Sequence, residues 1–131
     1  MNGYILDTHY LIWVMKEPEK INQDTLRLIR NTQNNLLISL VSLWEIAIKQ
    51  KIGKLNMIDS IDNFKKDVID CGFNWLRIED KHIYTTLEIP LLQEHRDPFD
   101  RLLIAQAKTE GLIIITDDSK FSLYNDINVL N

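Results

Sequence analysis

Four consecutive branched apolar residues, Leu112–Ile115, constrain the fold more than any other segment of this 131-residue chain. A strand with one face in water alternates apolar and polar side chains, so an uninterrupted run indicates a strand buried on both faces. Strands of this kind are typical of parallel sheets that helices cover on both sides. The segment therefore predicts an α/β fold.

The rest of the chain alternates between strand-like and helix-like segments. Further strands are predicted at Tyr4–Leu6, Leu36–Ser39, Phe73–Ile78 and, as a short last strand, Ile127–Leu130. Helices are predicted at Thr8–Lys16, Asp24–Thr32, Leu40–Ile52, Ile61–Cys71, Lys81–Ile89 and Asp97–Glu110. This alternation predicts an α/β sandwich with a mostly parallel sheet, formed by residues 1–131 as one domain.

Composition narrows the class of protein. Cys71 is the only cysteine, so an internal disulfide is excluded and a reducing, cytoplasmic setting is expected. The N-terminus has no basic leader, and no apolar run approaches the roughly 20 residues of a membrane span. The net charge of −4 argues against a passive nucleic-acid binder, which is normally basic, but not against an enzyme with clustered acids.

Acidic residues fall where an open parallel sheet binds ligands, beyond the carboxyl ends of its strands. Asp7 follows the first predicted strand, and Asp117 and Asp118 follow Leu112–Ile115. Asp100 lies in the first turn of the helix that leads into that strand. The topology of such a fold would gather these carboxylates at one edge of the sheet.

Glu45 is the fourth acid of interest because of its neighbours on the predicted helix Leu40–Ile52. Val41, Ile48 and Ile52 share its side at helical spacing, so we expect Glu45 on an apolar face. A carboxylate there is costly unless it is paired or binds a metal. An ordinary helix ion pair with Lys49, four residues later, is the alternative.

Each of the other acids also has a purely structural interpretation. Asp7 and Asp118 could serve only as N-caps of the segments that follow them. Asp97 and Pro98 have the form of a helix start, which only partly explains Asp100, because a reciprocal capping box prefers Glu or Gln there. These interpretations stay open for each acid taken singly.

Taken together, the acids indicate a metal site. Carboxylates about 4 Å apart repel by about 4 kcal/mol per pair at an effective dielectric near 20, so a site holding several needs a cation. Oxygen ligands without clustered Cys or His favour a hard ion, Mg²⁺ or Mn²⁺. Such ions position phosphates and activate water, which indicates phosphodiester chemistry.

Four sequence blocks stand out along the chain: Leu6–Trp13, Ser42–Lys49 with Gly53–Leu55, His95–Ala107, and Thr116–Phe121. In this order they resemble the motifs of PIN domains of the VapC toxin type. Together they span nearly the whole chain. The resemblance implies a PIN-like three-layer α/β/α sandwich and a Mg²⁺-dependent (or Mn²⁺-dependent) ribonuclease.

The resemblance also implies roles for particular residues. Asp7 and Asp100 would bind the metal, with Glu45 and Asp118 completing a catalytic acidic cluster. Thr8 and Thr116 would support it by orienting carboxylates or water. The family's pattern places the fourth acid at Asp118, although the adjacent Asp117 could substitute.

The expected partners follow from the same resemblance: an RNA substrate, a cognate antitoxin protein and a second copy of the chain. Arg96, Arg101 and Lys49 are candidate RNA contacts, although Lys49, Lys51 and Lys54 could equally form a solvated helix face. Four bulky apolar residues are candidates for a dimer interface or an antitoxin groove, with a plain core role as the alternative: Trp13, Trp44, Leu91 and Leu92.

Other functions compete with this interpretation. A catalytically silent PIN-like module that binds RNA or protein would share the fold, but it need not keep all four acids. His9 and His95 could form an acid–base pair for metal-free RNA cleavage, although isolated histidines are more often structural; we interpret His95 as support for the turn at Asp97. DNA nucleases of similar fold carry more acids and longer insertions than this chain has.

Overall fold

The computed structural model describes residues 3–56 and 59–131. It contains the strands β1 (Gly3–Leu6), β2 (Asn35–Ser39), β3 (Asn74–Leu76), β4 (Ile113–Ile115) and β5 (Asn128–Leu130). Its helices are α1 (Thr8–Lys16), α2 (Gln23–Arg30), α3 (Leu40–Lys51), α4 (Ile61–Asp70), α5 (Asp80–Thr86) and α6 (Pro98–Glu110). Short 3-10 helices cover Pro18–Lys20 and Ser119–Leu123.

The five strands form one sheet in the order β3-β2-β1-β4-β5, and every pairing among them is parallel. The expected α/β fold is therefore confirmed. β1 lies at the centre, where Ile5 is in register with Leu37 of β2 and Ile114 of β4. Because β1 and β4 are neighbours, the residues that follow them, Asp7 and Thr116, meet at the carboxyl edge of the sheet.

Alternating side chains of the central strands supply two cores, one on each face of the sheet. Tyr4 and Leu6 pack into one core with residues of α1, α2 and α4, whereas Ile5 packs into the other with residues of α6. Helix α3 contributes to both, through Ile46 on the first face and Val41 on the second. This arrangement is the predicted three-layer sandwich, and it fixes α3 and α6 beside the carboxyl edge of β1.

Several predicted boundaries are wrong by a few residues. α5 ends at Thr86 instead of Ile89, because the following backbone amides bond to carbonyls three residues back and Pro90 disfavours a helical residue before it. β3 covers only Asn74–Leu76 of the predicted Phe73–Ile78, since it is an edge strand paired on one side. α2 begins one residue early and ends at Arg30, after which the chain turns.

In the described ranges, no helix has the length and apolar character that crossing a membrane would require.

The junction between α6 and β4 depends on Gly111, which has φ 66° and ψ 41°. Its amide bonds to the carbonyl of Ala107 and ends the helix that carries Asp100. A Cβ at this position would meet no atom within 4 Å, so a larger side chain would fit. Glycine is required because the backbone here is left-handed.

We therefore expect Gly111→Ala to lower the free energy of unfolding by about 1 kcal/mol, the cost of a left-handed conformation for an L side chain. Gly111→Asn should lose less, because Asn tolerates this conformation better. Urea unfolding curves measure both differences. Equal stability of the Ala variant and the wild type would contradict this account of the junction.

Candidate metal centre

Asp7 follows β1 and bonds through both of its carboxylate oxygens. Its Oδ1 accepts a hydrogen bond from the amide of Tyr10 at 2.8 Å, which caps α1. Its Oδ2 accepts one from the hydroxyl of Thr116, which follows β4. The predicted N-cap is therefore present, and it uses only one of the two carboxylate oxygens of Asp7.

Thr116 links Asp7 to the segment that carries the fourth acid. Its Oγ1 accepts a hydrogen bond from the amide of Asp118 at 3.0 Å while its hydroxyl proton goes to Asp7. Asp118 in turn caps the 3-10 helix Ser119–Leu123, accepting from the amide of Lys120 at 3.0 Å. The short loop after β4 is thereby held in one conformation.

Asp100 and Asp118 come together with a residue that the sequence analysis did not place in the site, His95. The ligand atoms of these three side chains all lie within 4.8 Å of one another. His95 Nε2 is 2.8 Å from Asp100 Oδ2, and the imidazole is buried. Sequence interpretation assigned His95 to the turn at Asp97; its position five residues before Asp100 was the only available signal.

Asp97 itself behaves as predicted. It caps α6 by accepting from the amides of Phe99 and Asp100 at 2.8 and 3.4 Å, with Pro98 at the first helical position. This helix start fixes Asp100 in the first turn, facing the end of β4.

Glu45 lies on α3 and is held by a threonine from α1. Its Oε1 accepts a hydrogen bond from Thr8 Oγ1 at 2.7 Å, and its Oε2 is 3.3 Å from Lys49 Nζ. The ion pair with Lys49, which the sequence offered as the alternative to a metal role, is present, and Thr8 orients a carboxylate as the resemblance implied. The expectation that Ile52 shares a buried side with Glu45 is wrong, because Ile52 is 59% exposed.

Two pairs of acids interact electrostatically, Glu45 with Asp100 and Asp117 with Asp7. The charge of Glu45 raises the pKa of Asp100, and the charge of Asp117 raises the pKa of Asp7. Asp117 is exposed, whereas Asp118 is half-buried and belongs to the group of ligand atoms around Asp100. The geometry therefore favours Asp118 as the fourth ligand, with Asp117 beside Asp7.

Burial dominates the electrostatics of this edge. It raises the pKa of Asp7 from 3.8 to about 6, against the hydrogen bonds from Thr116 and Tyr10 and the nearby His9, which lower it. Burial likewise raises the pKa of Asp100, although the hydrogen bond from His95 lowers it. Among the described residues, neither carboxylate forms an ion pair with a lysine or an arginine; Asp7 bonds to a hydroxyl and an amide, and Asp100 bonds to an imidazole.

This donor set fits a divalent cation. Carboxylate oxygens with one imidazole nearby are suitable for Mg²⁺ or Mn²⁺, and a cation would relieve both the desolvation and the mutual repulsion of the acids. We refer to Asp7, Glu45, Asp100 and Asp118 as the acidic cluster.

The candidate RNA contacts differ in availability. Arg96 is exposed at the start of the segment that leads to Asp97. Arg101 instead donates to the carbonyls of Thr86, Ile89 and Pro90 at 2.8–3.1 Å, and so stabilises the chain beyond the end of α5. Sequence interpretation missed this structural role, which engages both terminal nitrogens of the guanidinium.

A second group of possible metal ligands, Glu79, His82 and Glu110, joins α5 to α6. His82 Nδ1 accepts from the amide of Glu79 at 3.0 Å, and Nε2 is 2.8 Å from Glu110 Oε2. Lys81 Nζ lies 3.0 Å from the same Glu110 oxygen. Both ring nitrogens and the carboxylate are satisfied, so this group is a structural network.

The raised pKa of Asp7 generates a prediction for the protein in chelator. The folded chain holds the proton more tightly than the unfolded chain, so stability is lost as pH rises from about 4 through about 6. A shift of about two units corresponds to about 3 kcal/mol. Asp7→Asn, which keeps a capping oxygen, should therefore be more stable than wild type at pH 7–8 and nearly equal near pH 4.

Thermal unfolding across pH measures this difference. Asp70→Asn, at an exposed carboxylate at the end of α4, controls for the loss of one negative charge. An Asp7→Asn variant less stable than wild type at pH 8 would contradict the burial account.

The fold is shared by solved toxin–antitoxin proteins. VapBC2 from Rickettsia felis, bound to a DNA fragment from its promoter, matches with a TM-score of 0.73 and 17% identity over 98% of both chains. VapBC-1 from nontypeable Haemophilus influenzae matches with a TM-score of 0.70 and 22% identity over 98% of this chain and 97% of its own. FitAcB from Neisseria gonorrhoeae matches with a TM-score of 0.65 and 17% identity over 98% of this chain and 96% of its own.

No curated protein sequence matches the chain significantly. The PIN domain family model, however, matches residues 4–126, which include every member of the acidic cluster. The chain therefore belongs to the PIN domain family.

Proposed function

We propose that this protein is a divalent-metal-dependent ribonuclease and the toxin of a toxin–antitoxin pair, similar to VapC. The observation that carries the proposal is the convergence of Asp100 and Asp118 within 4.8 Å of His95, next to Asp7, which Thr116 ties to the same loop. Family membership and the fold shared with toxin–antitoxin proteins support it.

In this proposal Asp7, Glu45, Asp100 and Asp118 are the catalytic acids and hold Mg²⁺ or Mn²⁺. The bound ion would lower the pKa of a water and offset charge on the departing 3′-oxygen of the RNA. Thr116 holds one oxygen of Asp7, and Thr8 holds one oxygen of Glu45, so both carboxylates are oriented before substrate arrives.

RNA as the substrate is inferred from the resemblance to VapC toxins. Arg96 is the best-placed candidate phosphate contact, because it is exposed one residue after His95. Lys49 is half-buried and paired with Glu45, so its contribution to RNA binding would compete with that ion pair. A silent RNA- or protein-binding module is the alternative, and the retention of all four acids argues against it.

We expect the purified protein to cut RNA with Mg²⁺ or Mn²⁺ and to leave a 5′-phosphate and a 3′-hydroxyl, because water rather than the 2′-hydroxyl attacks phosphorus. Asp7→Asn and Asp100→Asn should each lower the rate by more than about 100-fold, beyond the effect typical of groups that only support metal ligands. End-mapping of cleaved RNA measures both the rate and the termini.

Asp70→Asn, the exposed control, should cut like wild type. Cleavage in excess chelator would exclude metal dependence. Cyclic phosphate termini that persist in Asp7→Asn would instead support histidine chemistry, although His9 is exposed and stacks on Trp13 while the buried His95 bonds to Asp100.

Partner binding is the second part of the proposal. Of the four bulky candidates, Trp13 and Leu92 are half-buried against the two cores, whereas Trp44 and Leu91 are more than half exposed. Helix α5 adds apolar surface that the sequence analysis did not single out. We give the name α5 apolar face to the exposed apolar residues of α5 and of the segment that follows it, Ile83, Tyr84, Leu87 and Leu91; Leu87 is 87% exposed.

Four exposed apolar residues close together in the sequence are typical of an interaction site, so we propose that a second copy binds the α5 apolar face. The antitoxin would then bind elsewhere on the dimer. Because α5 packs on α6, this interface would lie on the face of the sheet opposite α4.

Light scattering should give a dimer for the wild type and a monomer for Leu87→Glu, because the interface would have to bury a charge. Ile69→Glu, at a similarly exposed apolar residue of α4, should remain a dimer. A monomeric wild type would count against the dimer. If Leu87→Glu stayed dimeric but no longer bound the antitoxin, the α5 apolar face would be the binding site of the antitoxin instead.

A further inference from the structure

We propose that His95 is a positioning residue that holds Asp100 and Asp118 in the arrangement that binds the metal ion, without itself being a ligand. This inference rests on the proposed metal site. It gives His95 a role at the metal site, whereas the sequence interpretation assigned it to the turn at Asp97.

The first observation is the hydrogen bond between His95 Nε2 and Asp100 Oδ2 at 2.8 Å. The imidazole is only 3% exposed, whereas the Asp100 side chain is 24% exposed, so the bond runs from a buried ring to a carboxylate at the edge of the site. A carboxylate that is free to rotate would turn away from a neighbouring carboxylate. The bond from His95 fixes one oxygen of Asp100 and opposes that rotation.

The second observation is that the imidazole packs on the segment that carries Asp118. Its ring centroid is 5.0 Å from that of Phe121 and 5.5 Å from that of Tyr124, both in edge-on geometry. Tyr124 also donates its hydroxyl to the carbonyl of His95 at 3.3 Å. Phe121 belongs to the 3-10 helix that Asp118 caps. His95 therefore contacts both Asp100, through its hydrogen bond, and the segment that carries Asp118, through its packing on Phe121.

The backbone of His95 is fixed as well. Its amide bonds to the carbonyl of Leu92 at 3.3 Å, and the same two residues form an isolated antiparallel bridge. The segment before α6 is therefore anchored at His95, and the imidazole does not depend on the metal ion for its position.

The surroundings of Nδ1, the second ring nitrogen of His95, favour a positioning role over a role as metal ligand. His95 Nδ1 is buried and has no hydrogen-bond partner among the described residues. If Nε2 bound the metal, the proton would move to Nδ1 and leave a buried, unpaired N–H group, which costs about 1–3 kcal/mol. Histidines that bind metals usually donate that second proton to a partner. The tautomer with the proton on Nε2 uses that proton in the bond to Asp100 and leaves Nδ1 as a buried acceptor instead of a buried N–H donor.

The experiment is a Mn²⁺ titration of metal-free protein, followed by the electron paramagnetic resonance signal of free Mn²⁺. His95→Leu should bind Mn²⁺ about 10–100-fold more weakly than wild type, the loss typical of groups that support metal ligands. His95→Gln, whose side-chain amide can donate to Asp100, should bind within a few-fold of wild type.

His82→Leu is the matched control, because His82 is also buried and bonded to a carboxylate, Glu110, at 2.8 Å. It should lower stability but leave Mn²⁺ affinity unchanged. Thermal unfolding of each variant in chelator separates loss of the fold from loss of metal binding, and His95→Gln keeps the test valid if His95→Leu unfolds.

Unchanged Mn²⁺ affinity in His95→Leu would overturn the positioning role. So would a His95→Gln variant that binds Mn²⁺ as weakly as His95→Leu, together with a directly bonded nitrogen in the pulsed spectrum of Mn²⁺ on the wild type. A wild type that binds Mn²⁺ with the predicted dependence on residue 95 but cuts no RNA would refute the proposed function alone.

Discussion

Carboxylates brought together at the carboxyl edge of a parallel sheet are the constraint on which the rest of this structure depends. Burial raises the pKa of Asp7 to about 6 and also raises that of Asp100, and the acids beside them add to the cost. The fold therefore has to hold these groups against their own repulsion. It does so with hydrogen bonds from hydroxyl, amide and imidazole groups, which orient the carboxylates while leaving their charge for a cation.

The same residues serve the fold and the site. Asp7 caps α1, Asp118 caps a 3-10 helix, and Asp97 caps α6 to fix Asp100 in its first turn. The sheet order supplies the remaining geometry, because pairing of β1 with β4 places Asp7 beside Thr116. A local capping preference and a long-range strand pairing thus act on one carboxylate.

The sequence predicted the features that depend on local patterns. The helix start at Asp97 and the end of α6 at Gly111 are present in the structure, and the strand predicted at Leu112–Ile115 is β4, one residue shorter and with Ile113 half-buried. It missed features that depend on distant contacts. The bond of His95 to Asp100 requires the packing of the imidazole on Phe121, and Arg101 contacts carbonyls more than ten residues away. Neither arrangement leaves a periodic signal.

Anomalous diffraction from crystals soaked in Mn²⁺ tests most directly whether the acids form a metal centre. The account predicts a peak among Asp7, Asp100 and Asp118, on the side of Asp100 away from His95. A peak confined to Glu79, His82 and Glu110, or no peak at the carboxyl edge of β1 and β4, would contradict it.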